Sequence, residues 1–157
     1  MTAPKSIHRF SLVAGLVLAA WSLMPAVAQA ADTNDTKLEA VLVWGTNGPK
    51  PPEQDLKAVS EDVQKKLNCL PFKYTNYFEV NRKQLTLKQG ATEKASMSKD
   101  CKITLKSLPE GKVELTVIGQ GQPVGKITQE LKKDKCLVTG GNAENSTAWF
   151  VVIKQIE

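Results

Sequence analysis

The sequence predicts an α+β domain: mainly an antiparallel β meander of about seven to eight strands, with one amphipathic helix after the first strand. Three observations carry this. A short apolar run, Leu38–Trp44 (LEAVLVW), ends in a segment made wholly of turn residues, Gly45–Pro52 (GTNGPKPP). A single stretch of helical periodicity follows it. Beyond Pro71 the apolar residues alternate with polar ones nearly everywhere, the period of a half-buried strand.

Residues 1–30 stand apart and read as a cleavable signal peptide. Lys5, His8 and Arg9 form a basic start, and Ser11 to Met24 is apolar apart from small Ser and Gly residues. That run is shorter than the roughly 20 residues a bilayer core demands. Pro25 breaks it, and Ala28-Gln29-Ala30 supplies the small-x-small pattern of a cleavage site. The expected organisation is therefore a signal peptide over 1–30, a flexible leader over 31–37 and one β-rich domain over 38–157. The expected location is periplasmic or extracellular, with no transmembrane segment after cleavage.

Leu38–Trp44 is the first strand. The helix is expected to start at Pro52, with Leu56, Val59, Val63 and Leu67 on one stripe at spacings of three and four. Glu53 and Asp55 suit its positive end and Lys65 and Lys66 its negative end; Asn68 caps it and Pro71 forbids continuation. Phe72, Tyr74, Asn76, Phe78 and Val80 then alternate on one face of a strand, with Tyr77 on the other. Leu85 and Leu87 alternate before Gly90, and Ala95 and Met97 mark a weaker strand.

The clearest hairpin is Cys101–Gly119, around Pro109-Glu110-Gly111. That loop sets Lys106 against Glu114, Leu105 against Leu115, Thr104 against Thr116 and Ile103 against Val117. Like meets like, and opposite charges meet on the polar face. A one-residue slip sets Lys106 against Leu115, so the pattern specifies its register. Val124–Leu131 and Cys136–Thr139 are further strands, joined by Lys132-Lys133-Asp134-Lys135. A Gly140-Gly141-Asn142 loop leads into the last strand, Ala148–Ile156. Its Trp149–Ile153 (WFVVI) is apolar on both sides, as in a strand covered on both faces, and the helix is expected over it.

Composition excludes several functions. Removing residues 1–30 takes away Lys5, Arg9 and the chain's only His, leaving 19 basic residues against 16 acidic, a net +3 in place of +5. Without His, the domain lacks the commonest general base and metal ligand. Arg82 is then its only Arg, the side chain suited to bidentate phosphate recognition, which argues against nucleic acid. No Cys pair is close enough in sequence for a zinc motif, and no loop has the ligand pattern of a calcium site. No catalytic residue, cofactor or metal is expected.

Two motifs imitate catalysis. Gly119–Lys126 (GQGQPVGK) imitates a phosphate loop, but Ile127 stands where Ser or Thr must bind magnesium; a bulged hairpin turn explains its glycines. Ser96-Met97-Ser98-Lys99 matches the Ser-x-x-Lys of penicillin-binding proteins without that family's Lys-Thr-Gly element, and reads as a polar turn. Asn34-Asp35-Thr36 and Asn145-Ser146-Thr147 are formal glycosylation sequons, discounted because the Ala-rich leader looks bacterial.

Cys69, Cys101 and Cys136 are an odd number of thiols for an oxidising compartment. One bridge with one free thiol, an intermolecular bridge and three buried thiols are all open. Cys101–Cys136 is the expected pair, since both lie in strands. Among the aromatics, Tyr77 and Trp149 are the candidates for a contact surface, Trp149 beside the Gly140–Ser146 loop. The alternative for both is a place in the core.

At Tyr77-Phe78-Glu79-Val80, Cys101–Lys106 (CKITLK) and Ala148–Val152 (AWFVV) the chain is similar to a family of short exported bacterial proteins that has no assigned function. The resemblance implies export and a β-rich domain, and no activity. The expectation is thus a non-enzymatic module with an unidentified protein partner. The alternatives are an inhibitor of an extracellular hydrolase and a carbohydrate- or peptidoglycan-binding domain.

Overall fold

Two strands of this chain are apolar on both faces, and they become neighbours at its centre. In the computed structural model, which describes residues 35–50, 55–71 and 74–157, β1 (Thr36–Thr46) pairs antiparallel with β9 (Ala148–Gln155). Leu38, Ala40 and Leu42 of β1, with Val151 and Ile153 of β9, face one side; Val41, Val43, Phe150 and Val152 face the other, and all are buried. Strands so covered belong in the middle of a sheet. This sheet has the order β2-β3-β1-β9-β8, completed by β2 (Lys57–Ala58), β3 (Asn76–Leu87) and β8 (Cys136–Asn142).

The second sheet is a plain meander of β4 (Thr92–Ser96), β5 (Cys101–Ser107), β6 (Lys112–Gly119) and β7 (Gln122–Glu130). Here one face alone is apolar. Ile103, Leu105, Val113, Leu115 and Val117 turn inward onto Leu38, Ala40, Leu42, Leu137, Val151 and Ile153 of the first sheet. Burying each such side chain contributes roughly 1.5–3 kcal/mol. The predicted hairpin register is the observed one, with Lys106 opposite Glu114, Leu105 opposite Leu115, Thr104 opposite Thr116 and Ile103 opposite Val117. The phosphate-loop imitation is a bulged hairpin, as expected: Gln120 and Gly121 turn with φ of 49° and 81°, and the register shifts between Val117 and Ile118.

A helix forms the third layer. α1 (Glu61–Asn68) lays Val63 and Leu67 on the outer face of the first sheet, against Val41, Val43, Tyr77, Phe150 and Val152. The fold is thus α+β and mainly antiparallel, with nine strands and one α-helix among the described residues.

The structure corrects several boundaries. The helix starts at Glu61, nine residues after the expected start at Pro52, and ends at Asn68 as expected. Lys57 and Ala58 instead pair with Glu79 and Phe78, and the Val59 N–H donates to the Tyr77 carbonyl at 3.2 Å. An edge ladder on β3 thus competes successfully with the periodicity of Leu56 and Val59. Cys69, rather than Asn68, is the C-cap. Pro52, Glu53 and Phe72 lie outside the described residues, as do the signal peptide over 1–30 and the Asn34 sequon.

Thr36 and Lys37, expected in the leader, begin β1. The first sheet adds to the expected antiparallel meander one long-range pairing, with β1 inserted between β3 and the last strand, β9. Gly140, Gly141 and Asn142 are the end of β8 rather than a loop, paired with Phe150, Trp149 and Ala148. A Cβ on Gly140 would lie 2.5 Å from the Phe150 ring, and one on Gly141 2.9 Å from the Trp149 indole. The glycines are there to let aromatic rings lie on the strand, not to turn it.

Candidate functional site

At one end of the two-sheet sandwich the strands bring tryptophans together. Trp44 of β1 is paired with Trp149 of β9 on one side and with Phe78 of β3 on the other, so three aromatic residues form a row across three strands. The Trp44 and Phe78 rings stack with centroids 5.9 Å apart. In the strand alternation Trp44 follows Leu42 on the face turned toward the second sheet, and Trp149 packs on the inter-sheet core.

The second sheet offers little bulk at this level. Cys101 is opposite Gly119, and the bulge after Val117 turns β7 through Val124. Large rings opposed by small residues leave space. A cleft of about 990 Å³ results, with Leu42, Trp44, Val117, Val124 and Trp149 among its apolar walls. Val80, at the register shift of β3, and Val124 are exposed large hydrophobics, at 40% and 49%.

The rim is polar and comes from three turns. Ser98 and Asp100 stand on the β4–β5 turn, Gln120 on the β6–β7 turn, and Asn142, Glu144, Asn145 and Thr147 around the β8–β9 loop. Backbone bonds hold these turns. The Gln120 N–H donates to the Asp100 carbonyl at 2.8 Å, and the Ala143 N–H to the Thr147 carbonyl at 2.9 Å. Ser98 Oγ accepts from the Asp100 and Cys101 N–H groups at 3.2 and 3.0 Å. Asn145 and Ser146 both have positive φ, 57° and 56°, so the β8–β9 loop turns sharply without glycine. Among the described residues no Lys or Arg lines the cleft, in a chain with 21 basic residues.

The two expected contact residues part company. Trp149 is half-buried in the cleft wall. Tyr77 is a core residue, 4% exposed on the helix side, where its ring lies edge-on to Tyr74 and Phe150 at 6.3 and 6.0 Å. Alternation alone places Tyr77 outward, opposite a core-facing Phe78, but both sides of β3 are covered at this end. Trp44 was the residue missed. Its signal was its place at the end of an apolar strand, but only the pairing of β1 with β9 brings it beside Trp149.

The expected Cys101–Cys136 bridge is absent, and Cys69, Cys101 and Cys136 are free thiols. Cys101 packs on the inter-sheet core and lines the cleft, whereas Cys136 packs on the helix-side core, beyond the first sheet. Burial pushes both thiols up from their ordinary range. In the Ser-x-x-Lys segment, Ser96 Oγ donates to the Ser98 carbonyl at 2.9 Å and the Lys99 side chain is 91% exposed, the geometry of a polar turn. Among the described residues no group of three or more His, Cys, Asp or Glu could hold a metal ion, and no helix is long and apolar enough to cross a membrane.

Comparison with protein-family models, with curated proteins and with solved structures finds no match for this chain.

Proposed function

We propose that this protein is a non-enzymatic binding module of the cell exterior that holds a glycan chain in the two-tryptophan cleft. The observation that carries the reading is the composition of that cleft: indoles on its wall, amides, carboxylates and hydroxyls on its rim, and no basic side chain among the described residues. A pyranose ring presents a C–H face that packs on an indole, while its hydroxyls, each donor and acceptor, suit planar Asn, Gln, Asp and Glu groups. A concave apolar site with a few polar groups is the usual form of a ligand pocket. Asp100 and Glu144 are exposed on turns and work as hydrogen-bond acceptors there, not as a buried hydrolytic pair.

Sedimentation with purified cell-wall glycan tests this. The protein is expected in the pellet, Trp44→Ala in the supernatant, and the glycan unshortened after incubation. Wild-type protein left in the supernatant would end the glycan reading. A second reading, contact with a protein partner, is favoured by Val80 and Val124 exposed at the same cleft. Replacing both by Ser weakens partner capture in that case and leaves glycan sedimentation unchanged.

A further inference from the structure

Cys69 caps the C-terminal end of α1, exposed, with its Sγ donating to the Lys65 carbonyl at 3.2 Å. Its neighbours on both sides reach down to β8 and the turn before it. Lys66 Nζ donates to the Asp134 carbonyl at 3.1 Å. Leu70 packs on the helix-side core with Val138, and the two line a cavity of about 310 Å³ with Tyr74 and Phe150. Residues 66 and 70 thus engage residues 134 and 138. Between the first two stands Cys69, and between the second two stands Cys136, half-buried on the face that α1 covers.

We propose that Cys69 and Cys136 form a disulfide that ties the end of α1 to β8 when the protein meets a small-molecule or protein disulfide. The two sulfurs already lie within electrostatic reach: charge on Cys69 helps to raise the Cys136 thiol, after burial and against Lys66. Cys101, on the inter-sheet side, is not part of this arrangement.

The exchange balances. The thiolate of the exposed Cys69 attacks one sulfur of the oxidant, whose S–S bond breaks and releases one thiol. Cys136 then attacks the Cys69 sulfur of the mixed disulfide and displaces the second thiol. The cysteine pair loses two electrons and the oxidant's disulfide gains them. The two cysteine protons end on the two released thiols.

α1 has eight residues and buries only Val63 and Leu67, so by itself it is a short, marginal helix. A bridge from its C-cap to β8 closes a long loop and restricts the unfolded chain.

The test is incubation of the whole protein with oxidised glutathione, followed by thiol counting in denaturant and peptide mapping without reductant. Of the three thiols, one is expected to remain, with one linked peptide pair containing Cys69 and Cys136. The melting temperature is expected to rise and to fall back on adding reductant. The Cys101→Ala variant should form the same bridge, and Cys136→Ser should not. Three persisting thiols, a bridge that uses Cys101, or covalent dimers in place of the internal link would each overturn the proposal.

Discussion

Lys154 of β9 donates to Asp62 of α1 at 2.7 Å, and the same ammonium lies 2.9 Å from Glu39 of β1. This is what fixes the first turn of the helix to the sheet. Glu39 is 7% exposed and also accepts from Arg82 at 2.5 Å, while Arg82 Nη2 donates to Glu79 at 2.6 Å. The helix-side face of the first sheet is therefore divided. One end carries Val43, Tyr77, Phe150 and Val152, and the other a chain of alternating charges.

Removing Lys154 leaves a buried carboxylate with one cationic partner. Lys154→Met is expected to cost on the order of 2 kcal/mol, less than the roughly 3–5 kcal/mol of a buried pair broken outright, because Arg82 remains. Urea denaturation reads this directly. A variant as stable as wild type would show that the network has no net effect.

Acid should undo the same network. Burial alone would raise the Glu39 carboxyl, but hydrogen bonds from Lys154 and Arg82 outweigh it and hold the group below its ordinary 4.5. The hydrogen bond from Lys154, then that from Ser60, holds Asp62 well below its ordinary 3.8. Groups lowered by folding stabilise above their unfolded values and lose that contribution as pH falls through the native ones. The urea midpoint is expected to drop as pH falls below about 4.5, and less steeply in Lys154→Met. Lys154 acts with the opposite sign: burial would lower it, the bonds to Asp62 and Glu39 raise it above 10.5, and its contribution fades as pH rises past that value.

Gly140 admits no side chain. A Cβ there would lie 2.5 Å from the Phe150 ring and 2.6 Å from the Trp149 carbonyl oxygen, and a backbone atom in a paired strand cannot step aside. Gly140→Ala is expected to destabilise by about 1–3 kcal/mol. Thermal unfolding checks it against Gly48→Ala, where the nearest atom is 3.5 Å away.

The β6–β7 turn can be improved. Gln120 adopts φ of 49° before Gly121 at 81°, the two positive angles for which an Asn-Gly pair is best suited. Gln120→Asn is expected to gain about 1 kcal/mol by easing left-handed backbone strain, and it keeps an amide on the cleft rim. A lower melting temperature in this variant would contradict the reading of the turn.

The two faces of β6 give a further check. Leu115 is fully buried in the inter-sheet core, whereas Ile118 is half-exposed near the turn. Leu115→Ala is expected to cost about 2–5 kcal/mol and Ile118→Ala roughly 1 kcal/mol or less. Equal losses would mean that the outer face of this sheet is covered.

What could be read along the chain was local. The β5–β6 hairpin and its register follow from alternation, one turn and four like-with-like pairs, all within a few residues of one another. The bulged turn at Gln120-Gly121 and the double-sided burial of WFVVI follow in the same way. The helix was visible as a stripe, but its start was not. Leu56 and Val59 fit a helical period equally well, and only the nearby edge of β3 made the extended form the better use of their backbone groups.

The candidate site was half legible. Trp149 drew notice by its place beside a loop; Trp44 and the cleft did not, because they depend on β1 and β9 meeting from opposite ends of the domain. The same long-range pairing decided that Tyr77 is core and that Gly140 and Gly141 belong to a strand under aromatic rings. The amino-acid sequence by itself determined most of the strands, the β5–β6 and β6–β7 turns, and that the residues beyond 30 include no histidine. The tertiary structure alone decided which strands are neighbours. Pairing partners are chosen by burying two faces at once, and that condition is met only when distant segments are in place together.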